Sequence, residues 1–186
     1  MNTLLKVNLK RTPLFRLIHI DNLEIVLQRN GMHAPNNIPN DGLQYKIIHN
    51  SEIQERREIK TIKLKNGIEK GVIHDYVPFY FGPRSPMLYQ LHTGQVDNYL
   101  DGQEPLIYLV SIAQDFVKKK IPFVFSDGHG LVDYTFWYDN LDKLNKLNWN
   151  FIYAKQWNDI KDNPYCSDRK RQKQAEFLIY KFCKTY

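Results

Sequence analysis

Cysteine is nearly missing from this chain: Cys166 and Cys183 are the only two in 186 residues. That excludes a disulfide scaffold, and two thiols alone do not make a four-ligand zinc site. No stretch approaches the roughly 18 consecutive apolar residues that a bilayer span needs. The opening MNTLLKVNLKRTPLFR is basic but lacks the apolar core, about 7–15 residues long, of a secretory signal. A protein of the reducing cytosol, with no membrane association, is therefore expected. The six histidines (19, 33, 49, 74, 92 and 129) show no H-E-x-x-H spacing, and there is no C-x-x-C, so no metal site is expected. A Walker loop and a G-x-G-x-x-G turn after a strand are also missing. Cys166 sits in a loop without the local signature of a cysteine nucleophile.

What the chain does have is a hydrophobic share of 42% and an aromatic share of 13%, enough to build a core and exclude wholesale disorder. Its length suits one domain, taken here as residues 1–186. Positive charge is in excess, with 26 Lys and Arg against 20 acids. The excess is lopsided. Residues 161–186 hold seven basic residues against three acidic ones, which supplies most of the net +6. Such a cluster attracts polyanions by releasing their counterions; a solvated basic face is the plain alternative.

There is no repeat and no heptad. Residues 14–20 (LFRLIHI) read as a strand. Asp21 and Asn22 open a short helix with Leu23, Val26 and Leu27 at helical spacing, stopped at Gly31. Residues 34–46 form a loop, and long loops in compact domains are usually functional. Residues 50–60 suggest a helix capped by Asn50 or Ser51. Residues 70–81, 106–110, 122–126 and 176–182 read as strands. A helix follows the third of these four candidates' predecessor, from Ser111 or Gln114 to the lysines at 118–120. Residues 127–130 make a turn, and Leu141, Leu144 and Leu147 fall at helical spacing. Short strands mixed with short helices indicate an α+β class.

Three places carry unusual chemistry. Arg16 interrupts an apolar strand, either as an edge-strand charge or as a guanidinium that holds phosphate or ribose. Arg56-Arg57 lies in QERRE beside the long loop, as an exposed helix surface or, for one of the pair, a diphosphate clamp. Gln174-Ala175-Glu176 stands where the basic string DRKRQK enters an apolar strand. A buried carboxylate there is costly without partners, so Glu176 either pairs with a lysine at an exposed strand end or faces a cleft. Gln174 would lie on the same strand face, two residues earlier.

Taken in order, HIDNL (19–23), IQERR (53–57), HDYVPFYFGPRSPMLY (74–89), GQEP (102–105), PFVFSDGHG (122–130) and KQAEFLIYK (173–181) resemble the DarT family, over about residues 13–182. These bacterial toxins ADP-ribosylate bases in single-stranded DNA and are paired with a macrodomain antitoxin, DarG. The resemblance implies an ADP-ribosyltransferase fold: two abutting antiparallel sheets, flanked by short helices, with NAD+ as co-substrate in the cleft between them. It implies that Glu176 is the catalytic glutamate and Arg57 the essential arginine. Arg16, Leu17 and Ile18 would hold the nicotinamide end, while Ile25 and His33 line the rest of the nucleotide. Residues 35–57 would cover NAD+, and residues 126–176 would present the DNA. Two departures accompany the likeness: many members carry histidine at the position of Arg16, and members typically continue past the point where this chain stops at Tyr186.

The chemistry implied is cleavage of the nicotinamide–ribose bond through an oxocarbenium-like transition state. A carboxylate at the ribose 2′-hydroxyl gains most as positive charge develops on the ring. Glu176 is expected in that role, with Arg57 on the diphosphate. A ring N–H acceptor such as thymine would lose its proton to Glu176 or to a base helped by Arg57. Arg169, Lys170, Arg171 and Lys173 would track phosphates, Gln174 would meet the acceptor, and Tyr153, Trp157 or Tyr165 could stack on bases. A same-fold enzyme acting on RNA or protein, and a non-catalytic single-strand-binding module, remain the alternatives.

Overall fold

In a computed structural model that describes residues 8–159 and 167–184, the chain forms ten strands and six short α-helices. Lys161, Tyr165 and Cys166 lie outside the described residues. Six strands make one sheet: β6 (Leu106–Ile112), β1 (Pro13–His19), β5 (Tyr76–Tyr80), β9 (Glu176–Tyr180), β7 (Phe123–Ser126) and β8 (Trp137–Tyr138), in that spatial order. Every neighbouring pair in it is antiparallel. Two-stranded ribbons flank it, β2 (Gly31–His33) with β10 (Phe182–Lys184) and β3 (Thr61–Lys63) with β4 (Glu69–Val72).

The large sheet is nearly divided. β1 and β6 pair along their whole lengths, from Pro13↔Ile112 to His19↔Leu106, whereas β1 meets β5 at the single register Phe15↔Tyr80. Pro78 within β5 cannot donate to a ladder, and the Arg16 guanidinium reaches across to its carbonyl (3.3 Å). The two abutting antiparallel sheets that the resemblance implies are thus a two-stranded part and a four-stranded part joined at a narrow seam.

β9 lies at the centre of the four-stranded part because EFLIY is apolar after its first residue, and Phe177, Leu178 and Ile179 are fully buried. Phe177 organises the main core. Its ring stacks on Phe123 (4.8 Å between centroids) and lies against Phe81 (5.9 Å). Stacked and edge-to-face aromatic pairs are each worth about 0.5–1.5 kcal/mol beyond the area they bury.

Several boundaries differ from expectation for local reasons. α1 (Asn22–Gln28) ends before Gly31, because Asn30 takes the left-handed turn (φ 54). Gly31 instead opens β2, where an added Cβ would overlap the backbone carbonyl of Cys183 on β10. The expected strand over 70–81 is broken by a 3₁₀ turn at Ile73–Asp75, and that over 176–182 by Lys181 (φ 60). The fully apolar 106–110 run is an edge strand, with Val110 60% exposed. The leucine repeat over 140–148 forms a 3₁₀ helix, Leu141–Lys146. The remaining helices are α2 (Ser51–Ile59), α3 (Pro86–His92), α4 (Ala113–Lys118), α5 (Trp149–Tyr153) and α6 (Arg169–Lys173). Among the described residues, no helix is long and apolar enough to cross a membrane.

Candidate active site

A cleft of about 220 Å³ opens beside the seam between β1 and β5. β1 contributes Arg16, Leu17 and Ile18, and β9 contributes Glu176. α2 contributes Gln54 and Arg57, and the loop before it contributes Tyr45 and His49. Asn50 caps α2 by accepting from the Ile53 N–H (3.0 Å), and this aims the helix's second arginine inward.

Glu176 and Arg57 form a buried, two-pronged ion pair at the cleft wall. Nη1 of Arg57 donates to Oε1 at 3.0 Å and Nη2 to Oε2 at 2.8 Å. The residues are separated by 119 positions in sequence, and both are buried. The Gly130 N–H adds a contact to Oε1 at 3.3 Å. Ser126 Oγ fixes the strand start, accepting from the Glu176 N–H (3.1 Å) while donating to the Gly128 carbonyl (2.6 Å). Burial by itself pushes the Glu176 pKa up, but the charge and hydrogen bonds of Arg57, with smaller help from His129 and Gly130, hold it below its ordinary 4.5. For Arg57, burial pulls the pKa down and Glu176 more than restores it. The result is a carboxylate that is ionised and acceptor-only at neutral pH, held in one orientation.

Arg16 has a different setting. Among the described residues, its guanidinium hydrogen-bonds only to the Pro78 carbonyl, and its Nε has no acceptor. Burial, and secondarily the nearby Arg57, lowers its pKa. Four histidines also line the cleft: His33, His49, His74 and His129. Desolvation lowers the pKa of each below 6.5, so all four favour the neutral form. Tyr80 stands directly opposite Glu176 in the β5–β9 register, and burial pushes its phenol up to about 12.

The loop between β2 and α2 is fastened over the cleft at two points. Arg29 grips Asp41 with two hydrogen bonds (2.8 and 2.6 Å) and also donates to the Leu43 carbonyl (2.9 Å), which brings the Asp41 carboxyl down to about 2. Further along, the Asn22 side chain pairs with both backbone groups of Lys46 (2.7 and 2.9 Å). The Lys46 ammonium meanwhile bridges Asp21 and Asp101 beside buried His19.

The expected nucleotide contacts Arg16, Leu17, Ile18, His33 and Arg57 all line this cleft. Ile25 does not. Its helix turns Asn22 and Val26 to the cleft instead, one helical turn apart. The basic string is also divided. Arg171 is buried between Asp168 and Asp127 (closest contacts 2.7 and 2.8 Å) and packs over Gly128. Lys173 is buried with its ammonium on the carbonyls of Ile152 and Ala154 (2.7 and 2.8 Å), and burial lowers its pKa to about 8. Both were expected to meet phosphate; their charges are instead used to hold the loop and α5 in place. Lys170 is exposed, Arg169 half-buried, and Gln174 lines the cleft mouth. The cleft groups that the sequence did not single out are Tyr80, His49, His74 and His129. The signal for His129 was available, since it sits in a glycine-flanked turn directly after a strand. Among the described residues, no group of three or more His, Cys, Asp or Glu is placed to hold a metal ion.

Comparison with known proteins gives a consistent picture. A family model described as ssDNA thymidine ADP-ribosyltransferase, DarT, matches residues 15–185. A DNA ADP-ribosyl transferase of Thermus sp. (strain 2.9) is 41% identical over 170 residues, which covers 91% of this chain and 75% of that protein. The structure of Thermus sp. 2.9 DarT in complex with ADP-ribosylated ssDNA superposes with a TM-score of 0.81 at 39% identity, covering 94% of this chain and 78% of that one. Its complex with NAD+ gives 0.75 at 38% identity, covering 93% and 77%.

Proposed function

Because the chain belongs to the DarT family of single-stranded-DNA ADP-ribosyltransferases, we propose that its cleft binds NAD+ and transfers ADP-ribose to thymine in single-stranded DNA, releasing nicotinamide. The observation that carries this reading is the buried Arg57–Glu176 pair at the wall of the cleft. Residues 1–186 act as one transferase domain in this reading.

Glu176 is the catalytic residue. As the bond between nicotinamide and ribose C1′ breaks, positive charge grows on the ribose, and an ionised carboxylate at the 2′-hydroxyl is worth more then than in the ground state. Its depressed pKa suits that task, since it stays charged without help from solvent. Arg57 keeps the carboxylate ionised and aimed with one N–H from each terminal nitrogen, and the N–H groups left over serve the diphosphate contact expected from sequence. Arg16, Leu17, Ile18 and His33 contact the dinucleotide. The thymine ring nitrogen attacks C1′, and its proton passes to an unprotonated cleft group; Glu176 and neutral His129 both qualify. Lys170, Arg169 and Gln174 meet the DNA, and the base must leave its stack to reach C1′.

Family membership supports two further parts of the reading, a cytoplasmic site of action and neutralisation by a macrodomain antitoxin of the DarG type. Co-expression with such an antitoxin is expected to restore growth and to remove ADP-ribose from DNA. The enzymatic reading is tested by incubating the protein with labelled NAD+ and short oligonucleotides. Label is expected on thymine-containing DNA, and Glu176→Gln is expected to lower the rate by about 10²–10³. Unlabelled DNA with intact oligonucleotide binding would favour a pure binding module, and label on RNA or protein alone would change the substrate class.

A further inference from the structure

We propose that Tyr89 and Trp157 form a stacking platform for bases of the single strand, immediately outside the cleft mouth. The inference rests on the reading of single-stranded DNA as acceptor and adds the path by which the strand leaves the site. α3 divides its side chains three ways. Met87 and Gln90 line the cleft, while Leu88 and Leu91 pack into the cluster around Leu17. Tyr89 joins neither group and is 50% exposed. Its ring packs edge-to-face on Trp157 (5.8 Å between centroids, 82° between planes). An edge-to-face pair leaves ring faces open, and every nucleobase has a face to lay on them.

The surroundings match a polyanion. Arg84 reaches the Tyr153 carbonyl (3.4 Å) from one side, and Arg169 reaches the Gln156 carbonyl (2.8 Å) from the other. Exposed Lys155 lies between those two anchor points, and exposed Lys170 follows Arg169. Of the described acids nearby, Asp168 is neutralised by Arg171, and Asp159 is turned toward the Lys170 backbone N–H. Gln174 at the cleft mouth donates to the Lys170 carbonyl (3.0 Å), so cleft and cationic rim adjoin. An acidic peptide would use the cations but leave two aromatic faces without a purpose. A strand of unstacked nucleotides uses both.

Binding of oligothymidylate by fluorescence anisotropy tests this. Tyr89→Ala and Trp157→Ala are each expected to weaken binding roughly 5- to 150-fold, the equivalent of ~1–3 kcal/mol for a stacked base. Tyr89→Phe, which keeps the ring, should bind like the parent. The sharper readout is an abasic strand of equal length and charge. The parent should prefer the base-bearing strand, whereas the double alanine variant should bind both equally and keep its salt dependence. NAD+ affinity by calorimetry should not change in either variant. Parent-like binding by both alanine variants, or an undiminished preference for bases in the double variant, overturns the platform. Failure of the parent to transfer ADP-ribose overturns the enzymatic reading instead, because the base-versus-abasic comparison needs no catalysis.

Discussion

Glu176 and Arg57 each make the other tolerable. A carboxylate and a guanidinium taken out of water cost several kcal/mol apiece, and only their mutual attraction and matched geometry offset that cost. Removing one partner should therefore do more harm than removing both. Glu176→Ala is expected to destabilise the protein by about 3–5 kcal/mol in urea unfolding, since it strands a buried cation, while Glu176→Leu with Arg57→Met should recover most of the loss. Losses that simply add in the double variant would show that the pair is not coupled. The pH dependence follows from the depressed carboxylate pKa. The stabilisation is present above the unfolded value of 4.5 and disappears as pH falls through the lower folded value. Acid sensitivity from this pair thus belongs well below neutrality, and acid loss of activity near pH 6 would have to come from another group.

At the scale of elements, α5 and α6 depend on a charge that looked like a ligand for DNA. Lys173 caps carbonyls at the C-terminal end of α5, groups that a helix leaves without internal partners. Lys173→Met is expected to cost about 1–3 kcal/mol by leaving them unpaired in a buried place, with little change in the salt slope of DNA binding. A reduced salt slope at parent stability would instead return Lys173 to the DNA surface. The example also shows where sequence reading stops. Strands such as Pro13–His19 and Glu176–Tyr180 were legible because apolar and β-branched residues run together, and the α2 cap was legible from Asn50. Burial of Arg171 and Lys173 was not, because, Asp168 apart, their partners are Asp127, Thr135 and two backbone carbonyls that only tertiary folding brings near. α3 went unread within a proline-rich turn, although Ser85 followed by Pro86 is a helix-start pattern. The Arg57–Glu176 match came from resemblance to a family; spacing along the chain gives no hint of a contact across 119 residues.

For the molecule as a whole, the four cleft histidines make stability depend on mild acid. Well above pH 6.5 they are neutral both folded and unfolded and contribute no slope. Below it the unfolded chain takes up protons first, because its histidines keep the ordinary value while the folded ones are depressed, so stability falls. The melting temperature is expected to be lower at about pH 5.5 than at about pH 7.5, and His49→Gln should flatten that slope. An unchanged melting temperature across the range would mean that these imidazoles titrate alike in both states. The sheet order has a consequence for synthesis. β5 and β7 do not touch as partners; each pairs with β9, which the ribosome makes after every other strand of that sheet. Until β9 has cleared the exit tunnel the nascent chain holds two separated half-sheets and lacks the carboxylate, so a cell translating this message meets no transfer chemistry before that last strand of the sheet docks between them.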